Sequence, residues 1–375
     1  MVQTPDPGHA LERAPKRAAA FAVAILLIAG VVVDAAAEPY IAVRQGLQCS
    51  ACHVHPAGGG MRNAYGNAYA QADLPAERLG DNGLWTGEIS KWFAVGGDLR
   101  ADYRYVDTPN QQEVSEFDVS RGTIYLEARL LPGRLSFYVD QQFAPSGSLN
   151  REAYLRLRDA SGQWFVSAGQ FYLPYGLRLQ DDSAFVRQVT GVNLTNPDRG
   201  VEFGYDGGRW SAIASITNGS GGSSESDTGK QASLVASYVR PGWRAGVSFN
   251  ANDADAGDRR MQGVFAGLRT GPVAWLLEAD LVRDEAPGVP AVNAIAGLVE
   301  ANWGLGRGHN LKFDYEYYDP DDDVDEDHEV RYSIVWEYTP MQFLQARVGV
   351  RVYDGIPQVD AQNRDEAFVE LHGFF

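Results

Sequence analysis

Both cysteines of the chain fall in one pentapeptide: Cys49, Ser50, Ala51, Cys52 and His53 spell C-x-x-C-H. Two thiols at this spacing can form a disulfide, act as a redox dithiol, join a zinc site, or become thioethers to the two vinyl groups of a haem. The last chemistry needs both thiols at one porphyrin edge and an imidazole beneath the iron, and the gap of two followed at once by histidine supplies both. Nothing around the motif has the βαβ pattern of a thiol oxidoreductase. No second Cys/His pair at ligand spacing follows, which argues against zinc. The pattern predicts one covalent haem c, held by Cys49 and Cys52, with His53 as proximal ligand to the iron.

The N-terminus indicates the compartment. Arg13, Lys16 and Arg17 precede an apolar run from Ala18 to Val33, and Ala35, Ala36 and Ala37 precede Glu38. This is the pattern of a secretory signal peptide over residues 1–37, cut after Ala37. The alternative, an uncleaved anchor, has a run slightly short of the roughly 20 residues a spanning helix needs. The predicted leader carries three acidic and three basic residues, so its removal leaves the net charge at −17. Such acidity argues against nucleic-acid binding, because phosphates attract Lys and Arg. Beyond Ala37 no apolar run reaches the length of a spanning helix.

Residues 38–91 hold the motif, a glycine-rich loop at Gly58–Gly60 and a short helical stretch. That is too little chain for a self-contained cytochrome core, so the haem needs walls from elsewhere. From Trp92 to Phe375 the apolar period becomes two. In RLSFYVDQQF, Leu135, Phe137, Val139 and Phe143 alternate with Ser136, Tyr138, Asp140 and Gln142; similar alternation runs through NLKFDYEYY and MQFLQARVGVRVY. The charges share one parity and the apolar residues the other.

Short breaks at Pro132-Gly133, Asp159–Gln163, Gly207-Gly208, Pro241-Gly242, Gly271-Pro272, Gly304–Gly308 and Thr339-Pro340 alternate with eight longer polar ones. Short turns on one side, long loops on the other and an even strand number mark an outer-membrane barrel, with its apolar parity toward lipid and its polar parity toward the lumen. The predicted fold is all-β: an outer-membrane antiparallel β-barrel of sixteen strands, its lumen entered by the haem segment as a plug from the periplasmic side.

Two residues are candidates for a sixth iron ligand. Met61 follows three glycines that let the chain fold back toward the haem. His372 has the inward parity of the last strand, near its periplasmic end and beside the strand that follows the haem segment once the barrel closes. A vacant or water-bound site remains the third option. His55 lies too close to His53 to reach across the ring. His309 lies at a periplasmic turn and His328 by an outer loop. The run Asp319–Glu329 is read first as a solvated outer loop bridging lipopolysaccharide through divalent ions, and second as a gatherer of cations.

A short C-x-x-C-H segment followed directly by a barrel of this length resembles the fused cytochrome–porin family of outer-membrane electron-transfer proteins, which includes bacterial Fe(II) oxidases. The stretch AVRQGLQCSACH is similar to that family's haem approach, with Arg44-Gln45-Gly46 upstream and Ala51 inside the motif. The sequence likeness covers residues 41–70. Residues 169–204 are also similar to the strand–loop–strand region of phosphate-selective-type porins. The run Gly58–Gly60 departs from the Fe(II)-oxidase pattern.

The resemblance implies a conduit for electrons between an extracellular donor or acceptor, Fe(II) among them, and periplasmic carriers such as soluble cytochromes. The rival reading is a diffusion porin whose haem segment is a structural plug. The apolar band is about 25 Å tall, so a lone haem that conducts by itself must sit well inside the lumen.

Overall fold

A computed structural model of the chain describes residues 38–80, 83–145, 147–192 and 196–375. The signal peptide expected over residues 1–37 lies outside the described residues. Sixteen antiparallel strands form a closed barrel. The first, Phe93–Asp107, pairs with Val114–Leu131 on one side and with the last, Asp365–Phe374, on the other. A three-residue strand, Glu88–Ser90, leads into it. Closure leaves no free edge, so the ladder satisfies every spanning segment's backbone within the barrel. Among the described residues no helix is long and apolar enough to cross a membrane.

Short turns and long loops alternate as the sequence predicts, with one displacement. The turn expected at Thr339-Pro340 lies three residues later, at Gln342-Phe343. Pro340 has no N–H to give to the ladder, and the pairing slips between Tyr338 and Met341, so the proline sits in an irregularity of the strand. Phe343 turns the chain with φ at +71°.

The two faces follow the predicted parity. Phe137, Val369 and Leu371 are exposed on the outside, while Tyr138, Asp140, Glu370 and His372 are buried toward the lumen. Trp164, Trp210, Trp243, Trp275 and Trp303 are exposed at the short-turn ends of their strands. Indole rings favour the membrane–water boundary, so this row marks one rim of the apolar band.

Two pieces of chain fill the lumen. The first is the N-terminal segment, with helix α1 (Pro39–Gln45), a helical turn at Cys49–Ala51 and helix α2 (Ala64–Ala72). Proline at the start of α1 and Gly46 in the left-handed region after it are the usual stop signals of a short helix. The second is the loop between Trp164–Tyr172 and Pro197–Gly207, which turns inward and carries helix α3 (Phe185–Thr190). Arg187 and the Leu177 N–H both bind Glu278, Arg331 binds Ser183 and Asp181, and the Phe185 N–H donates to Glu316.

Where these pieces meet the wall, the lumen is apolar. Tyr40, Val43, Leu177 and Val186 pack against Phe265, Leu276 and Leu298, which point inward. Each side chain buried this way contributes about 1.5–3 kcal/mol. The strand pattern predicts that the polar parity faces the lumen. That rule fails here because the wall meets protein in place of water.

Candidate functional site

The C-x-x-C-H motif is wound as one helical turn. The Cys52 and His53 amides both donate to the Cys49 carbonyl, at 3.1 and 3.0 Å. Both cysteines are free thiols. Asn63 holds the turn from outside. Its Nδ2 donates to the carbonyls of Ser50 and Ala51 at 2.9 and 3.1 Å, and its backbone N–H donates to the Cys52 carbonyl at 2.9 Å. Its Oδ1 accepts from the Gly66 amide at 2.9 Å, capping α2.

Gly58, Gly59 and Gly60 fold back over the motif with φ of +90°, +76° and +59°. Side chains rarely adopt this region, and a Cβ on Gly58 would stand 3.3 Å from Cys49 Cβ and 3.7 Å from Arg178 Cγ. The loop therefore presents bare backbone to the space beside the thiols. The segment is stitched to the wall by Arg156, which donates to the Val54 carbonyl at 2.9 Å, and by Gln48, which donates to the Arg209 carbonyl at 2.9 Å. Lys312 bonds Glu38 at 2.7 Å.

Cys49, Cys52, His53, the glycine run and His372 line one cavity inside the lumen, between the motif, the inward loop and the wall. The last strand brings His372 there from the opposite end of the sequence. Its Nε2 lies 2.9 Å from Asp98 Oδ2, and its Nδ1 is buried without a partner. His53 Nδ1 is likewise buried and unpartnered. Burial, and then the Arg62 charge, push the His53 imidazole down to about 4, so it is neutral at physiological pH, the form a metal ligand requires. Burial pushes the Cys52 thiol up to about 11. Two thiols at one edge, a neutral imidazole beside them, a side-chain-free glycine wall and unpartnered ring nitrogens fit a haem c.

Met61 is brought near the motif but away from that cavity. It is buried against Tyr125, Tyr138 and Tyr154, and its N–H donates to Tyr138 Oη at 3.1 Å. His55 turns to the wall, with Nε2 3.4 Å from Glu202. His309 stacks with Trp336 and Tyr338, which also stack on each other, at the short-turn rim, and His328 stacks on Tyr317 by an outer loop. In the acidic loop, the carboxylates of Asp321, Asp322 and Asp323 lie within 4.8 Å of one another.

Two features escape the sequence reading. Asn63 is visible only as a cap residue ahead of AYGNAYAQA, a signal of helix start that says nothing about the motif behind it. The infolding of the loop 173–196 has a fainter signal: Leu276, Val282 and Leu298 are apolar residues at inward parity, which a water-filled lumen does not call for.

No protein-family model matches the sequence, and no curated protein matches it. Solved structures do. A loop L8 deletion mutant of OmpT, an outer membrane protein of Vibrio cholerae, aligns with TM-score 0.61 at 13% identity over 76% of this chain and 99% of its own. The anion-selective porin from Comamonas acidovorans gives TM-score 0.60 at 11% identity, over 76% and 99%. The outer membrane channel DcaP of Acinetobacter baumannii gives 0.56 at 14%, over 76% and 97%. At such identities the likeness concerns the fold alone: the chain folds as a sixteen-stranded outer-membrane barrel of the porin type.

Proposed function

We propose that the chain carries one covalently bound haem c inside this barrel and moves electrons between a donor or acceptor outside the cell, Fe(II) among the candidates, and periplasmic carriers such as soluble cytochromes. This is the arrangement of the fused cytochrome–porin family. The observation that supports it is the convergence of Cys49, Cys52, His53 and His372 on one lumen cavity. A haem bound there would supply one-electron transfer.

The chain's own residues do the rest. Cys49 and Cys52 anchor the group at one edge, and His53 offers a neutral ring nitrogen. Asn63 keeps the turn that aligns all three. Asp98 fixes the His372 ring, as carboxylates commonly orient ligating histidines. With Nε2 on Asp98, the nitrogen that His372 has free is Nδ1. The N-terminal segment and the inward loop exclude water.

A second reading, a diffusion porin with a structural plug, is favoured by the porin fold of the neighbours. The packing of the lumen sets both readings apart from an open pore, and the haem decides between them. Arg156, Glu202, Glu316 and Arg331 are inward charges with 2%, 0%, 1% and 0% exposure. In an open aqueous pore such groups are wetted; here protein covers them.

The test is the protein purified from a host able to attach haem, examined on a denaturing gel and in planar bilayers. The reading predicts haem stain at the barrel's mass, lost in the Cys49→Ala/Cys52→Ala double variant, and conductance far below that of an open sixteen-stranded porin. Absence of stain in the wild type refutes the haem. Large, steady conductance favours the diffusion pore.

A further inference from the structure

The cavity that holds the thiols is ringed by four arginines: Arg62, Arg100, Arg121 and Arg178. Two of them have carboxylate partners. Arg100 Nε lies 3.2 Å from Asp98, and Arg121 Nη2 lies 2.9 Å from Asp182. The other two do not. Among the described residues, no carboxylate lies within ion-pair distance of Arg62 or Arg178. Arg62 rests its guanidinium on the Phe374 ring, 4.4 Å from the centroid, and its Nε is buried with no hydrogen-bond partner. Arg178 spends Nη2 on the carbonyls of Tyr172 and Leu173, at 3.2 and 2.6 Å, while its Nε and Nη1 are buried and unpartnered.

Both arginines are half-buried, and guanidinium nitrogens kept from water with no anion beside them are unfavourable unless something negative is to be held there. The net charge of the chain is −17, so this cationic pair is a local exception to the protein's own charge. A haem brings two propionate carboxylates. Two unpartnered guanidiniums face two carboxylates yet to be supplied, and Arg is the side chain best suited to grip them.

We propose that Arg62 and Arg178 are the propionate-holding residues of the haem cavity, supplying the countercharge that the barrel wall does not. This rests on the haem reading above and deepens it. Arg62 comes from the strap that crosses back over the motif, where it bridges His53. Arg178 comes from the inward loop. The pair therefore clamps one group from two independent pieces of chain, and loading the haem should tie the loop to the plug. It also raises the potential: a cation beside the haem disfavours the ferric state, which carries one more positive charge than the ferrous state.

The experiment compares the full-length wild type with Arg62→Gln, Arg178→Gln, the double Gln variant and the two Lys variants. Arg104→Gln, a lumen arginine outside the cavity, is the control. Haem stain and the optical spectrum report attachment; a redox titration reports the midpoint potential. Expected is full stain throughout, a fall in potential in each Gln variant that is largest in the double, and recovery toward wild type with Lys. A Gln series that titrates like the wild type and the Arg104→Gln control overturns the proposal, and so do Lys variants as low as Gln, which would make packing the cause. Absence of haem from the wild type instead refutes the reading on which the proposal rests. If a Gln variant fails to insert, its Lys counterpart and the other single variant still decide between these outcomes.

Discussion

Asn63→Ala should loosen the haem segment while leaving the barrel intact. Its side chain gives two good hydrogen bonds to the carbonyls of Ser50 and Ala51 and takes one from the Gly66 amide. Loss of the cap costs about 1 kcal/mol. Leaving two partly buried carbonyls unpaired costs about 1 kcal/mol or somewhat more each. The sum, about 3–4 kcal/mol, corresponds to a roughly 150- to 1000-fold rise in local opening. The barrel has no share in these bonds, since its ladder closes through Asp365–Phe374 and Phe93–Asp107 alone. Native-state hydrogen exchange in detergent micelles, read by mass spectrometry, separates the two regions. Peptides over residues 46–66 should lose protection by that factor, and peptides over residues 330–341 should keep theirs. Unchanged protection around the motif would refute the assigned role of Asn63. Equal loss in the barrel would refute the independence of the two parts.

Other outcomes follow from the same geometry. His372→Ala should shift the haem toward high spin in optical and paramagnetic-resonance spectra. Met61→Ala should leave the spin state alone and cost about 2–5 kcal/mol of plug stability as a cavity among tyrosines; a spin change in the Met61 variant alone would reverse the ligand assignment. Arg331→Leu leaves Glu316 buried without its cation and removes one of the two arginines on Asp181, which keeps Arg351. A loss of about 3–5 kcal/mol should free the inward loop, raising bilayer conductance and protease cleavage between residues 173 and 184; a closed, resistant loop would contradict this. Acid should act late. Burial opposes the charge on Asp181, but Arg351 and Arg331 hold its carboxyl well below the usual range. A depressed folded value means the anchor is fully present above the unfolded value of about 3.9 and is lost only as pH falls through the lower folded one. The Asp181 carboxylate should stay ionised and paired from about pH 8 to 5 and be lost only in strong acid; a carboxyl band that Asp181→Asn removes, appearing near neutrality in infrared spectra, would contradict this.

The barrel is legible in the sequence because membrane strands obey two local rules at once. Phe137 and Val369 alternate with Tyr138 and Glu370 whatever the strands' neighbours are, and turn residues such as Pro241-Gly242 mark the short side. Pro340 misleads for a physical reason: proline signals a turn and an irregular strand equally well, and only the pairing of Tyr338 with Ala346 distinguishes them. The thiol–histidine motif is local, so Cys49, Cys52 and His53 can be picked from five residues. The placement of His372 in the same cavity takes strand parity and barrel closure together, and both hold. What the sequence does not reveal is how the lumen is filled. The contacts of Arg331 with Asp181 and Ser183 join residues some 150 positions apart, and no periodicity encodes them. The inward apolar residues Leu276 and Leu298 carry a trace of that filling, which reads as noise until the plug they touch is known.

The central claim is that electrons cross this barrel through a haem in its lumen. The protein is reconstituted in one orientation in liposomes, and the haem's absorbance is followed while a membrane-impermeant redox couple is added on the long-loop side. The account predicts prompt oxidation or reduction from that side, and from the short-turn side as well, with both responses absent in the Cys49→Ala/Cys52→Ala variant. A haem that answers only to the short-turn side would contradict the conduit and leave a plugged porin.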